Sequence, residues 1–245
     1  MFIKTTYFYA IPESFSKGKV FLDDNETHHL VNVLRAKEGD EFLVTNGAGE
    51  LFRCRLSKWY KKGAVAEIVE KKENIPSPTI DICLGMGLIK SKLMELALDW
   101  AIQLGISRFV PIITDYTQKE FLQKGKKYSR FEKIAISAIK QSLRTHLPEI
   151  YPVFKLPKFL QQYSENFDGI LFADYNGVPT PPKRMIQDGC SLLILVGCEG
   201  GFSTAEKAEL SEYGAVPISL GNSRLRTETA AVTAVAKLLI WSGNV

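Results

Sequence analysis

The chain has 245 residues, enough for one large domain or two modest ones, and its 45% hydrophobic and 24% charged content excludes general disorder. The formal net charge is only +4, no apolar run reaches the ~18 residues of a membrane span, and the N-terminus lacks the basic-then-apolar order of a signal peptide. Four widely spaced cysteines (Cys54, Cys83, Cys190 and Cys198) form no C-x-x-C pair, which predicts neither a metal site nor a disulfide framework and fits a reducing, cytoplasmic setting.

In chain order, the first 74 residues read as short strands. The stretches 5–10, 19–22, 41–45, 51–57 and 64–69 place β-formers at a period near two, and the turns between them carry Gly18, Gly39, Gly47, Gly49 and Gly63. Several short strands at regular spacing predict a small β-barrel, interrupted by one short helix around 26–34. The polar stretch 71–78 contains Pro76 and Pro78, which continue neither a ladder nor a helix, so it is read as a linker. The expected division is 1–74 and 75–245.

Beyond the linker, strands and helices alternate. Strands are expected at 79–84, 109–113, 169–173, 191–196 and 215–220. Helices are expected at 91–104, closed by Gly105, at 129–143 with a Ser129/Glu132 capping box, at 203–213 with a Ser203/Glu206 capping box, and at about 227–241. This alternation predicts an α/β fold with a mostly parallel sheet covered by helices on both faces.

Ligands of open parallel sheets bind beyond the carboxyl ends of the strands. Three segments fall there: 174–177 (DYNG), 197–202 (GCEGGF) and 221–229 (GNSRLRTET). Three glycines in the second are more than a tight strand-to-helix turn needs, and they let backbone approach a ligand. Neither a phosphate-cradling G-x-x-x-x-G-K-[ST] loop nor a complete dinucleotide fingerprint is present, and three histidines without H-E-x-x-H leave metal and serine-hydrolase chemistry without support. In the third, Glu228 in a first helical turn complements the helix dipole, but Arg224 and Arg226 do not and call for an anion or a reaction centre. Charge is also uneven: 76–165 holds thirteen basic against eight acidic residues, with Lys119, Lys124, Lys126, Lys127, Arg130 and Lys133 close together. Such a cluster is either a solvated surface or a phosphate-binding patch.

At these residues the chain resembles a known family. LVGCEGGFSTAE (195–206) resembles the signature (L/I)-(I/V)-G-P-E-G-G-F-S-x-x-E, and LGNSRLRTETAA (220–231) resembles L-G-x-x-I-L-R-x-E-T-A-A. Both belong to the RsmE family, the bacterial 16S ribosomal RNA uracil-N3 methyltransferases of the SPOUT superfamily. His28-His29-Leu30 with Val33-Leu34-Arg35 and Gly39-Asp40, then Lys90, Leu104-Gly105-Ile106 and Pro111, and finally Gln141, Arg144 and 147–150 extend the resemblance over nearly the whole chain. Three positions depart from it: Cys198 replaces a proline, and Gln103 and Lys140 replace acidic residues. The usual N-terminal arginine is not evident in 5–8.

The resemblance implies a PUA-like RNA-binding β-barrel followed by a SPOUT α/β domain with a trefoil knot, a homodimer, and S-adenosylmethionine as cofactor. It places the cofactor against Ala173, Gly197, Glu199, Gly200, Gly201, Leu220 and Leu225. The substrate would be 16S ribosomal RNA or the small ribosomal subunit, with no metal. Uridine pairs through N3, so the base must be unpaired or flipped. Arg226, supported by Arg144, would stabilise the developing uracil anion. Glu228 or Glu199 would orient that arginine or act as base, although a carboxylate satisfied by backbone N–H groups is an equal reading of Glu199. Arg35, Lys90, Lys124, Lys126, Lys127 and Arg130 would hold phosphates. The competing readings are a SPOUT enzyme acting on a ribose 2′-OH or another base, and a non-catalytic RNA-binding or ribosome-assembly protein.

Overall fold

The computed structural model describes residues 2–72, 77–121 and 128–244. They fall into two compact units: Met1–Ser77 with Ile136–Leu147, and Pro78–Ala135 with Pro148–Val245.

The first unit is built on a six-stranded sheet. Its strands are β1 (Phe2–Tyr9), β2 (Phe15–Ser16), β3 (Lys19–Leu22), β4 (Glu41–Thr45), β5 (Leu51–Tyr60) and β6 (Gly63–Lys72), in the order β1-β4-β5-β6-β3-β2. Only β1 and β4 run parallel; every other neighbour is antiparallel. No ladder joins the end strands β1 and β2 among the described residues, and β2 is only two residues long. The period-two pattern has its expected result: β3 alternates exposed and buried, sending Val20 and Leu22 into a core with Phe8, Leu30, Phe42, Val44 and Leu56. The expected helix starts at α1 (Asp24–Thr27), capped by Asp23, whose side chain accepts the Glu26 N–H at 2.8 Å. It continues as a π-helical turn over His28–Val33 that buries Leu30.

The chain returns to this unit at 136–147. The Thr145 carbonyl accepts from the Thr45 hydroxyl at 3.2 Å and from Gly49 N–H at 2.9 Å, and Leu147 N–H donates to the Gly47 carbonyl at 2.8 Å. Lys140 forms an ion pair with the buried Glu26, which also accepts from Tyr9 N–H. Of the expected linker, Lys71 and Lys72 instead complete β6, and 73–76 lie outside the described residues.

The second unit holds a parallel sheet: β7 (Asp81–Gly87), β8 (Arg108–Ile113), β9 (Glu149–Ile150), β10 (Phe154–Lys155), β11 (Gly169–Val178), β12 (Ser191–Val196) and β13 (Val216–Ile218). The order is β10-β8-β7-β12-β11-β13, with β9 also on β8, and every pairing is parallel. The central strands are buried along nearly their whole length, as covering both faces requires. Helices α2 (Ser91–Leu104), α4 (Leu156–Tyr163), α5 (Thr204–Glu212), α6 (Thr227–Trp241) and the part of α3 (Tyr128–Gln141) before Ile136 complete the set. α2 ends on Gly105 in the left-handed conformation, and α6 packs against α2, β7 and β12. α3 starts one residue before the expected Ser129 cap, whose side chain lies outside the described residues.

Several elements differ from the sequence reading. β11 runs on through Asp174–Val178, which the sequence suggests is a loop, with a register shift against β13 between Ala173 and Val178. α4 and the two-residue strands β9 and β10 have no counterpart in it. The α4 residues Phe159 and Tyr163 gather Tyr151, Phe154 and Phe167 into an aromatic cluster packed on the core that holds Val110 and Ile112 of β8.

Candidate active site

A cavity of about 680 Å³ opens in the second unit beyond the carboxyl ends of β12 and β13 and along the bulged second half of β11. Its walls come from 173–176, 196–202, 220–221 and 223–228, with Lys90, Leu93, Lys207 and Ala230. The three segments singled out from the sequence therefore converge on one space. All seven residues expected to hold the cofactor (Ala173, Gly197, Glu199, Gly200, Gly201, Leu220 and Leu225) line it, as do Arg226 and Glu228.

The glycine loop is built for close backbone packing. A Cβ on Gly197 would lie 2.6 Å from the Gly201 carbonyl carbon, and Gly201 itself has φ of +73°. Gly201 N–H donates to the Cys198 carbonyl at 2.8 Å, closing the loop on itself. The capping box of α5 is present: the Ser203 side chain accepts the Glu206 N–H, and the Glu206 carboxylate accepts the Ser203 N–H at 2.8 Å. Glu206 also accepts from Asp115 N–H at 2.9 Å, and the Ser203 hydroxyl bonds the Asp115 carboxylate, so the turn after β8 is tied to the helix start. Burial pushes the Glu206 carboxyl above the usual carboxylate range despite these bonds. Tyr116 on that turn sits against Gly200.

Cys198 is buried and stands where the resemblance expects proline. Its sulfur accepts a hydrogen bond from the Thr114 hydroxyl at 3.4 Å, and Thr114 is braced by Thr117.

Charge is arranged unevenly around the cavity. Glu228 is only 7% exposed, lies in the first turn of α6, and has no hydrogen-bond or ion-pair partner among the described residues. Arg226 is the N-cap of the same helix; it is exposed, its guanidinium has no partner among the described residues, and no ion pair joins it to Glu228. Arg224 donates to the Glu199 carbonyl at 3.2 Å. Glu199 is exposed, so the satisfied-and-buried reading of its carboxylate does not hold. Asp174 forms an ion pair with Lys207. Burial alone would raise the Asp174 carboxyl, but the Lys207 ammonium and the Asn176 N–H hold it below its ordinary range.

The remaining expected residues spread out. Lys90, read as a phosphate contact, lines the cavity. Arg130 forms an ion pair with Glu95 at 2.9 Å, and Lys124, Lys126 and Lys127 lie outside the described residues. Arg35 is exposed in the first unit with φ of +56°. Arg144 belongs to the first unit and is not among the cavity residues; it is half-buried, and burial lowers its pKa. The sequence reading names Asp174 only as part of the segment 174–177, and it misses Lys207 and Leu93, neither of which stands in a glycine or arginine motif.

A family model described as an RNA methyltransferase domain matches residues 76–239, and one described as an RNA methyltransferase PUA domain matches 22–69. The ribosomal RNA small subunit methyltransferase E of Buchnera aphidicola (Schizaphis graminum) is 31% identical over 97% of this chain and 95% of its own. The chain belongs to the ribosomal RNA small subunit methyltransferase E family. The Aquifex aeolicus member is 33% identical over 90% of this chain and 93% of its own. The crystal structure of the Neisseria gonorrhoeae member bound to S-adenosyl methionine superposes with a TM-score of 0.85 at 27% identity, covering 97% of this chain and 98% of that one. The fold is thus mixed α/β, with a PUA-like N-terminal domain and a methyltransferase domain.

Proposed function

We propose that this chain methylates N3 of a uridine in 16S ribosomal RNA, with S-adenosylmethionine as methyl donor. The observation that carries this reading is the convergence of the two family-signature loops, 197–202 and 220–228, on one cavity with an unpaired arginine and an unpaired buried carboxylate. Its size is that of a small-molecule pocket, and its lining suits the donor. Closely packed backbone at 197–201 presents amides and carbonyls, Leu220 and Leu225 offer apolar contact, and the Asp174 carboxylate lies on the wall. When bound, S-adenosylmethionine supplies an electrophilic methyl group on its sulfonium.

The chain's own residues supply the rest. Arg226 places a free cation at the cavity, where it stabilises the negative charge that grows on uracil as N3 loses its proton. Glu228 has no donor committed to it and is the carboxylate suited to accept that proton; it does not orient Arg226 by direct pairing. Arg35 and Lys90 hold phosphates, and family likeness gives Arg144 a supporting role for the same negative charge. Family likeness further supports a trefoil knot in the second unit, a homodimer, a division near 74/75 and a cytoplasmic location; no helix among the described residues is long and apolar enough to cross a membrane.

The test is calorimetric titration with S-adenosylmethionine, followed by nucleoside mapping of treated 16S ribosomal RNA and small subunits. About one site per chain and 3-methyluridine as product are expected. Arg226→Ala should retain cofactor affinity and lose methylation. A folded chain that binds no cofactor with or without RNA, or that forms a ribose-methylated product, refutes the reading.

A further inference from the structure

The end of the β5–β6 hairpin carries five consecutive exposed residues, Lys58, Trp59, Tyr60, Lys61 and Lys62. Exposure of large rings here is high: Trp59 is 41% and Tyr60 60% accessible, and Phe21 on the adjoining β3 is 49% accessible. Sheet register explains the display. The ladder shifts between Leu56 and Lys58, after which Lys58 pairs with Val65, Trp59 with Ala64 and Tyr60 with Gly63; Val65 in turn pairs with Phe21. Paired residues share a face, so Lys58, Tyr60 and Phe21 stand on the solvent side. Gly63 makes room there: a Cβ on it would meet the Phe21 ring at 2.8 Å. Trp59 is in register with Ala64 and then buried Leu22, on the other face, yet at the hairpin end it stays largely accessible.

Among the described residues, Phe21, Trp59 and Tyr60 make no ring pair, and Lys58, Lys61 and Lys62 make no ion pair. The carboxylates farther along the sheet are committed: Glu41 to Arg53 and Arg55, Glu50 to Lys71, Glu70 to Arg53 and Lys72. Glu67 stands opposite Lys19. A protein-binding hot spot would be depleted in lysine. Interleaved free lysines and free rings fit a polyanion that carries π-faces, and a ring can stack only on a base that is not already stacked in a duplex.

We propose that the β5–β6 hairpin end, with Phe21, is a docking platform for unpaired nucleotides of the RNA substrate. The rings take bases, and Lys58, Lys61 and Lys62 take the flanking phosphates. This rests on the RNA methyltransferase reading and adds a contact surface to it.

The test uses the full chain and a labelled oligouridylate of about 12 nucleotides, which cannot pair with itself, followed by fluorescence anisotropy across a salt series. Trp59→Ala with Tyr60→Ala should weaken binding by about five- to a hundredfold with little change in salt slope, and Trp59→Phe with Tyr60→Phe should retain most of the affinity. Lys61→Gln with Lys62→Gln should flatten the slope of log affinity against log salt by about 0.7 per lysine. Calorimetric S-adenosylmethionine affinity should be unchanged in all three, and circular dichroism melts should match wild type, showing that both units are intact. Unchanged oligonucleotide affinity in the ring-to-alanine variant overturns the proposal, as does a wild-type chain that does not bind the oligonucleotide. So does a ring-to-alanine variant that instead changes the oligomeric state of the RNA-free chain, since the platform would then seat a second copy. A wild-type chain that fails to bind cofactor or to methylate 16S ribosomal RNA, yet binds the oligonucleotide through these rings, refutes the assigned activity and leaves the platform standing.

Discussion

Lys140 stands where family likeness would put an acidic residue, and the structure supplies its counterpart. Its ammonium pairs with Glu26, a carboxylate buried under the first unit's sheet that also accepts from Tyr9 N–H. Cys198 and Gln103 are likewise accommodated locally, the first by the Thr114 hydroxyl and the second by a 2.9 Å hydrogen bond to Asp99 one turn earlier on α2. None of these partners is legible in the sequence, because each comes from a spatial neighbour or needs a side-chain conformation. The Lys140 pair makes a sharp prediction. Removing one partner of a buried pair leaves an uncompensated charge, so Lys140→Met should cost about 3 kcal/mol at neutral pH. Burial holds the Glu26 carboxyl above its ordinary value, with Lys140 pulling it back down. A carboxyl raised in the folded state binds more protons there than in the unfolded chain, so stability falls as pH rises through that interval. In Lys140→Met the downward pull is gone and the interval widens. The deficit against wild type should therefore be largest near pH 7 and shrink as pH falls into the range where Glu26 protonates. Urea melts at several pH values check this; a deficit independent of pH would place the loss in packing.

At the scale of elements, what could be read from the sequence was what short-range physics fixes. The apolar spacing of 91–104 and the glycine after it mark α2 to the residue, and Ser203 with Glu206 marks the start of α5. The all-buried run 192–196 reads as a central parallel strand and is one. α4 was not legible, because an eight-residue helix opening on Leu156-Pro157 has neither a capping side chain nor length enough for its period to stand out. β11 was cut short because Asp174, Asn176 and Gly177 are turn formers; pairing with β13 on both sides of a bulge overrides that preference. The cavity loops were visible as glycines and arginines. Their support from the turn after β8 was not, since Asp115 bonds to residues 88 or more positions away. That support is testable. Ser203→Ala removes the α5 cap and the Asp115 bond together, and should cost about 1 kcal/mol and weaken cofactor binding, because the glycine loop then loses its anchor on Tyr116. Thermal unfolding and calorimetry read both; lowered stability with unchanged cofactor affinity would confine the capping box to a structural role.

For the whole molecule, the chain does not divide at one point. A boundary near 74/75 follows from the proline-containing stretch, yet 136–147 lies with the first unit although the whole of Pro78–Ala135, in the second, precedes it. Nothing in its composition marks this segment; the half of α3 it contains looks like the rest of an amphipathic helix. Its role is fixed by long-range bonds: Lys140 neutralises Glu26, and the Thr145 carbonyl takes both the Thr45 hydroxyl and Gly49 N–H. The 1–77 fragment on its own would keep a buried Glu26 without its cation and leave Gly49 N–H without its acceptor, while the Thr45 hydroxyl would keep only the Glu50 carbonyl. It should therefore lack a cooperative thermal transition, or show one far below that of the full chain. Joining 136–147 to it through a flexible glycine-serine linker should restore the transition, because the segment adds the missing partners without any part of the second unit. Circular dichroism melts of the two fragments decide the matter. A 1–77 fragment as stable as the fused one would make the returning segment dispensable to this fold, and Lys140→Met should then be as benign as a surface substitution.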